Sequence, residues 1–416
     1  MSLRSHLLDT APLRIPAYRR LLTSSAVSAV GSQLTAVAVP FEVFRITGSS
    51  GWVGIASAAG LVPLVLFSLW GGSVADVVDR RKLMAVSVGG IAVTSALLAV
   101  HAASGHESVA VLLVLVVVQQ AFFGLYAPAR GAAVPRLVPA AQLPAAMALS
   151  TTVFGVGAVG GPLLAGSLIP LVGLPLLYLV DAVGLAAATL LVLRLPAMPT
   201  SGVPGRRAGA GSVLEGLRYI GTQQVLLVSF LADVVAMVLG MPRALFPEMA
   251  SDVYGGPAGG GLALGVLYAA IPVGSLLGGL FSGRLVKVRR HGALVLVSVA
   301  VWGVAVGLVG LTASLWVAAV LLAVAGAADL ASMVFRGAIL QTAATDEMRG
   351  RMQGVFTVVV VGGPRLADLL HGAGGELLGA RTAVALGGLL VVVATGVLAL
   401  RAREFRRYEA PADVPA

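Results

Sequence analysis

The chain has 416 residues, 58% of them hydrophobic and 11% charged, with a mean hydropathy of +0.97 and a net charge of +10. A soluble protein carries about a quarter charged residues, so this composition excludes a water-exposed globule and leaves lipid as the solvent. With no cysteine and five histidines at unpaired spacings, disulfides and thiol catalysis are excluded, and neither a metal site nor another bound cofactor is expected.

A helix rising 1.5 Å per residue needs about 20 apolar residues to cross the hydrocarbon core. In chain order, the apolar runs predict twelve transmembrane helices: 21–45, 51–75, 83–103, 108–131, 145–170, 174–194, 223–246, 261–284, 292–312, 314–336, 351–377 and 381–400. The breaks near Gly173 and Gly379 leave room only for very short connections. The first twenty residues hold Arg4, Arg14, Arg19 and Arg20 but no short apolar core with a small-residue cleavage site, so no cleavable signal is expected. The Pro-, Gly- and Ser-rich stretch 196–222 reads as a flexible linker. It divides the chain into a six-helix bundle over 1–195 and a second over 223–416, the latter with a short cytoplasmic tail.

Cytoplasmic loops retain Lys and Arg. With the N-terminus inside, inner segments collect 24 of the 28 basic residues, and only Arg45, Arg243, Arg365 and Arg381 fall elsewhere. Both termini are therefore expected in the cytoplasm. The positive charge is a topology signal, and nucleic acid has no part in it. Lysine occurs only at Lys82 and Lys287 against 26 arginines, a bias that suggests a GC-rich bacterial genome and so a bacterial plasma membrane.

The two halves repeat one another. VFGVGAVGGP at 153–162 returns as VFTVVVVGGP at 355–364, Gly71-Gly72 as Gly278-Gly279, and Arg130-Gly131-Ala132 as Arg336-Gly337-Ala338. Three matches in the same order point to duplication. Two six-helix halves related by an axis along the membrane normal are the architecture of major facilitator transporters.

Specific motifs carry that resemblance further. GGSVADVVDRRK at 71–82 is similar to the loop 2–3 motif of the superfamily: Gly72, Asp76, Arg80, Arg81 and Lys82 fit, Val77 departs from the usual basic residue, and Asp79 stands where glycine is commonest. GAVGGPLLAG at 157–166 resembles the span-five motif of proton-coupled exporters through Gly157, Gly161, Pro162 and Gly166. VAVPFEVFRITGSSGWVGI, LGVLYAAIPVGSLLGGLFSGRL and LRAREFRRYEAPA resemble the siderophore-export and multidrug-efflux branch, the enterobactin exporters among them. The resemblance covers most of the chain. It implies an all-α fold of two pseudo-symmetric six-helix bundles, and export of a siderophore or amphipathic drug driven by protons. It also implies a gating role for the 71–82 loop and a central cavity lined by spans one, four, seven and ten.

Charge inside a membrane is costly and faces a cavity or a partner. Asp233 sits mid-span seven with no basic residue within four positions, and Asp329 lies two turns above Arg336 in span ten. With Gln33, Gln119 and Gln120 they are the polar residues expected to reach that cavity. A carboxyl desolvated there could carry a proton, with Asp233 the leading candidate; a carboxyl capped by a neighbouring serine or the backbone is the plain alternative. Arg365 and Asp368, and likewise Glu42 and Arg45, are spaced as ion pairs on one helix face, and Asp181 lies in span six. Arg130 and Arg336 read as snorkelling anchors. The span-five glycines allow either close helix packing or a hinge. No G-x-x-x-x-G-K-[ST] loop occurs, so ATP is not the direct energy source, and no catalytic constellation points to an enzyme. A small-molecule substrate, protons and the bilayer are the expected partners of a monomeric chain. Uptake by a symporter of the same fold and, more remotely, a channel are the alternatives.

Overall fold

In a computed structural model, residues 9–75, 77–199, 210–255, 261–280 and 288–409 are described. Within lipid, every backbone N–H and C=O must bond inside its own segment. The described residues form helices and turns with no strand. Ten of the segments are long and apolar enough to cross a membrane. One of them, Ala140–Leu193, runs to 54 residues, room for two spans. It contains α6 (Leu143–Leu193), which Gly173 breaks with φ 75° and ψ 168°. Helix α13 (Asp346–Leu378), with its polar first turns, completes the set of twelve expected from the sequence. It ends at Gly379, φ 79°, before α14 (Ala380–Arg401). Both breaks use a backbone conformation open to glycine and strained for other residues.

The chain forms two compact units, Met1–Glu42 with Ala59–Arg207, and Val43–Ala58 with Ala208–Ala416. The first contains most of α1 (Pro16–Thr47), α3 (Leu61–Ala75), α4 (Arg80–Ala103), α5 (Val109–Leu137) and α6. Here α4 packs along α6 and α3 along α5. The second contains α2 (Ser50–Ala59), α7 (Ala210–Thr222), α8 (Gln224–Val234), the three-residue α9 (Phe246–Glu248), α10 (Gly261–Leu280), α11 (His291–Leu311), α12 (Leu315–Ala343), α13, α14 and the short α15 (Arg403–Arg407). There α10 packs along α12, and α11 lies against both α12 and α14.

The sequence repeat is a repeat of packing within each unit. A side chain at Gly71 would press on Leu125 and Pro128 of α5, and one at Gly278 on Ala327 of α12. In both places a glycine lets a helix approach its neighbour closely. Two expectations change. Residues 210–222 are helix α7, not linker: Val213, Leu214, Leu217 and Ile220 recur at helical spacing, Ile220 is buried, and α7 packs on α13. Span seven is not one regular helix either. Its α-turns give way to a π-segment at Val235–Leu239, two residues after Asp233.

Candidate functional site

In the first unit, α1 presents Ser25, Ser28 and Ser32, spaced three and four residues apart and so on one face. Opposite them α5 presents Phe123, Tyr126 and Arg130, and α6 adds Phe154. Together they line a cavity of about 80 Å³. Arg130 donates from Nε to Ser25 Oγ at 2.9 Å, and its guanidinium lies 4.4 Å from the centre of the Phe154 ring. Ser25 Oγ is also 3.4 Å from the Tyr126 hydroxyl. Among the described residues no carboxylate pairs with Arg130, and the Ser28 hydroxyl lies buried beside Tyr126. A half-buried guanidinium stacked on an aromatic face, with hydroxyls beside it, suits an anionic or hydroxylated aromatic group. Ligand pockets commonly span about 300–1,000 Å³, so this cavity has room for only part of a molecule. Arg130 is thus no snorkelling anchor; its side chain turns inward.

The repeat-related Arg336 also turns inward, with different company. It is 3% exposed and ion-pairs with Asp233, while its other terminal nitrogen lies 3.9 Å from Asp329. The expected pairing is corrected here. Asp233 has a basic partner after all, 103 residues further along the chain, and Asp329 holds that arginine only loosely. The reason is helix packing: α12 runs against α8, a proximity that local spacing does not reveal.

Arg365 and Asp368 do not form the direct pair their spacing suggested. Both converge on Ser57 of α2: Asp368 accepts from its hydroxyl at 2.6 Å, and Arg365 donates to its carbonyl at 3.1 Å. Glu42 and Asp181 are both buried in the first unit. Glu42 accepts from the Tyr178 hydroxyl at 2.7 Å and lies 3.5 Å from His101 Nδ1. Asp181 accepts from Thr35 at 3.0 Å and from Ser95 at 2.7 Å, and Gln119 donates to Ser95 at 3.2 Å. His101 was not singled out in the sequence. Its place in the last turn of α4 offered no local signal. Gln33 fills the space left by the absent side chain of Gly161, and Gln120 is half-buried and joins neither cluster.

The span-five motif lies on α1. A side chain at Gly157 would meet Ala29, one at Gly161 would collide with Gln33, and Pro162 and Gly166 are buried. Close packing is thereby realised. In the 71–82 stretch, Asp79 caps α4 by accepting from Arg81 N at 2.9 Å and also accepts from Met198 N at 3.2 Å. Arg80 donates to the Ala132 carbonyl, Arg81 to that of Leu195, Gly72 has open space beside it and Lys82 is exposed. Asp76 lies outside the described residues.

The two repeated sets of helices and the match to a transporter family make this a multi-pass membrane transporter of the major facilitator class rather than an enzyme. The chain belongs to the transmembrane secretion effector family, whose family model matches residues 8–415. It is 31% identical to the enterobactin exporter of Shigella dysenteriae serotype 1 over 96% of this chain and 95% of that one. To the enterobactin exporter of Citrobacter koseri it is 28% identical over 100% and 99%. Solved structures share the fold at low identity. A mutant of the nucleoside transporter NupG superposes with a TM-score of 0.73 at 12% identity, covering 94% of this chain and 98% of that one. A bacterial homologue of the human lysosomal transporter Spinster gives 0.72 at 16%, covering 97% and 100%.

Proposed function

We propose that this transporter exports a small amphipathic molecule, a siderophore or a drug-like compound, across the bacterial plasma membrane in exchange for protons. The observation that carries the reading is Arg130: a guanidinium with no carboxylate partner among the described residues, stacked on Phe154 in a hydroxyl-lined pocket. An acidic, hydroxylated aromatic head, of the kind an iron chelator can carry, meets a cation, a ring and hydroxyl donors there. The names of the curated relatives support a siderophore as cargo. The arginine distribution supports cytoplasmic termini and the repeat supports alternating access, with the chain acting as a monomer. In this scheme the 71–82 loop keeps the path shut in one state, and the glycines of α6 let it shift on α1.

Enterobactin movement in oriented vesicles tests the reading. Inverted vesicles with an acidic lumen should accumulate it, and dissipating the pH gradient should abolish accumulation. Accumulation only in right-side-out vesicles would instead make the protein an uptake symporter.

A further inference from the structure

We infer that Asp181 is the proton-binding group of the first unit, and that α1 transmits its state to the Arg130 pocket. The inference rests on the proton-antiport reading above and assigns its coupling site. Asp181 is 4% exposed, yet no cation pairs with it among the described residues. Its Oδ2 accepts two hydroxyls, from Thr35 of α1 and Ser95 of α4, while its Oδ1 is buried with no partner. An isolated buried carboxylate is costly, and without a cation a proton relieves that cost. The hydroxyl pair offers the other half of a switch, because it also supports the ionised form.

The surroundings separate this carboxyl from every other buried acid described above. Asp233 and Asp329 share Arg336, and Asp368 shares Ser57 with Arg365. Besides Tyr18, Tyr126, Lys82 and the arginines of α1, α4 and α5, the titratable groups on the elements around Asp181 are Glu42 of α1, His101 of α4 and Tyr178 of α6, and α5 approaches it with the neutral Gln119 through Ser95. Those three engage one another: Tyr178 donates to Glu42 at 2.7 Å, and His101 lies 3.5 Å from Glu42. His101 Nε2 accepts from the Ser108 backbone N–H at 3.3 Å, which leaves its other nitrogen, facing Glu42, to carry the proton.

One stretch of α1 joins Asp181 to the pocket. Residues 25–35 turn three faces to three neighbours. Ser25, Ser28 and Ser32 line the cavity, and Ala29 and Gln33 take the glycine strip of α6. Gly31 and Thr35, four apart, take the Asp181 carboxyl. Any side chain at Gly31 would collide with that carboxyl. A proton on the open Oδ1 weakens both hydroxyl bonds to Oδ2, and one on Oδ2 displaces or reverses a donor; in either case Thr35 carries the change into the helix lining the pocket.

Infrared pH-difference spectroscopy of the reconstituted protein tests the assignment without needing a substrate. Wild type should show a carbonyl band of a neutral buried carboxylic acid that disappears on alkalinisation, and Asp181→Asn should lack it. Adding enterobactin at fixed pH should deplete the same band. In proteoliposomes, Asp181→Asn should lose pH-driven transport by at least about tenfold while exchange without a gradient continues. Ser95→Ala, which keeps the acid, should move the pH at which the band disappears. An unchanged band in Asp181→Asn, an unmoved midpoint in Ser95→Ala, or gradient-driven transport intact in Asp181→Asn would overturn the inference. Failure of wild type itself to respond to a pH gradient would instead bring down the antiport reading, and with it the coupling assigned here.

Discussion

Arg130 and Arg336 occupy equivalent places in a duplicated sequence, and the two units treat them in opposite ways. In the second unit the guanidinium is buried against Asp233 with Asp329 nearby. In the first, the same position meets Ser25, Tyr126 and Phe154 and, among the described residues, no carboxylate. Duplication copied the backbone position while the chemistry around it diverged. A neutralised arginine holds helices together, whereas one left without a counter-charge is available to a ligand that brings its own.

Removing the second arginine is the harshest way to break this comparison. Arg336→Gln leaves Asp233 buried without its cation, which costs about 3–5 kcal/mol. Thermal unfolding in detergent should show a large loss, partly restored in the Arg336→Gln/Asp233→Asn double variant. A single variant as stable as wild type would mean the pair is not structural. Next come the repeated glycines. Gly161→Ala collides with Gln33, whereas an added methyl at Gly363 meets Met237 Cβ at 2.9 Å. Overpacking costs about 1–3 kcal/mol, so unfolding temperatures should rank Gly161→Ala below Gly363→Ala. Gly160→Ala, which opens on free space, should match wild type, and the reverse order would contradict the packing described. The mildest is Phe154→Leu, which keeps an apolar side chain but removes the ring beneath Arg130. A cation–π contact contributes about 0.5–1 kcal/mol at exposed sites and about 2 when desolvated. Enterobactin affinity should therefore fall a few-fold with stability unchanged, and an unaltered affinity would remove the ring from the site.

The sequence displayed the fold far better than the site. Twelve spans, the breaks at Gly173 and Gly379 and the glycine strip are local signals: hydropathy over about 20 residues, a conformation open to glycine, small residues at helical spacing. What it concealed are partnerships between helices. Nothing near Asp233 announces Arg336, and nothing near Glu42 announces His101 and Tyr178. Arg365 and Asp368 show the converse: spacing brought them onto one face, but Ser57 from another helix takes both. Helix α7 was hidden by composition, since its apolar residues follow directly on a Pro-, Gly- and Ser-rich stretch.

The most direct test of the central claim is a binding titration of enterobactin into purified wild type and Arg130→Gln, with unfolding curves recorded on the same samples. A charge-assisted hydrogen bond contributes about 1.5–3 kcal/mol, roughly 10- to 150-fold in Kd. The account predicts a loss of that size in Arg130→Gln with an unfolding temperature close to wild type, because no buried carboxylate among the described residues is left behind. Equal affinities in the two proteins would contradict it.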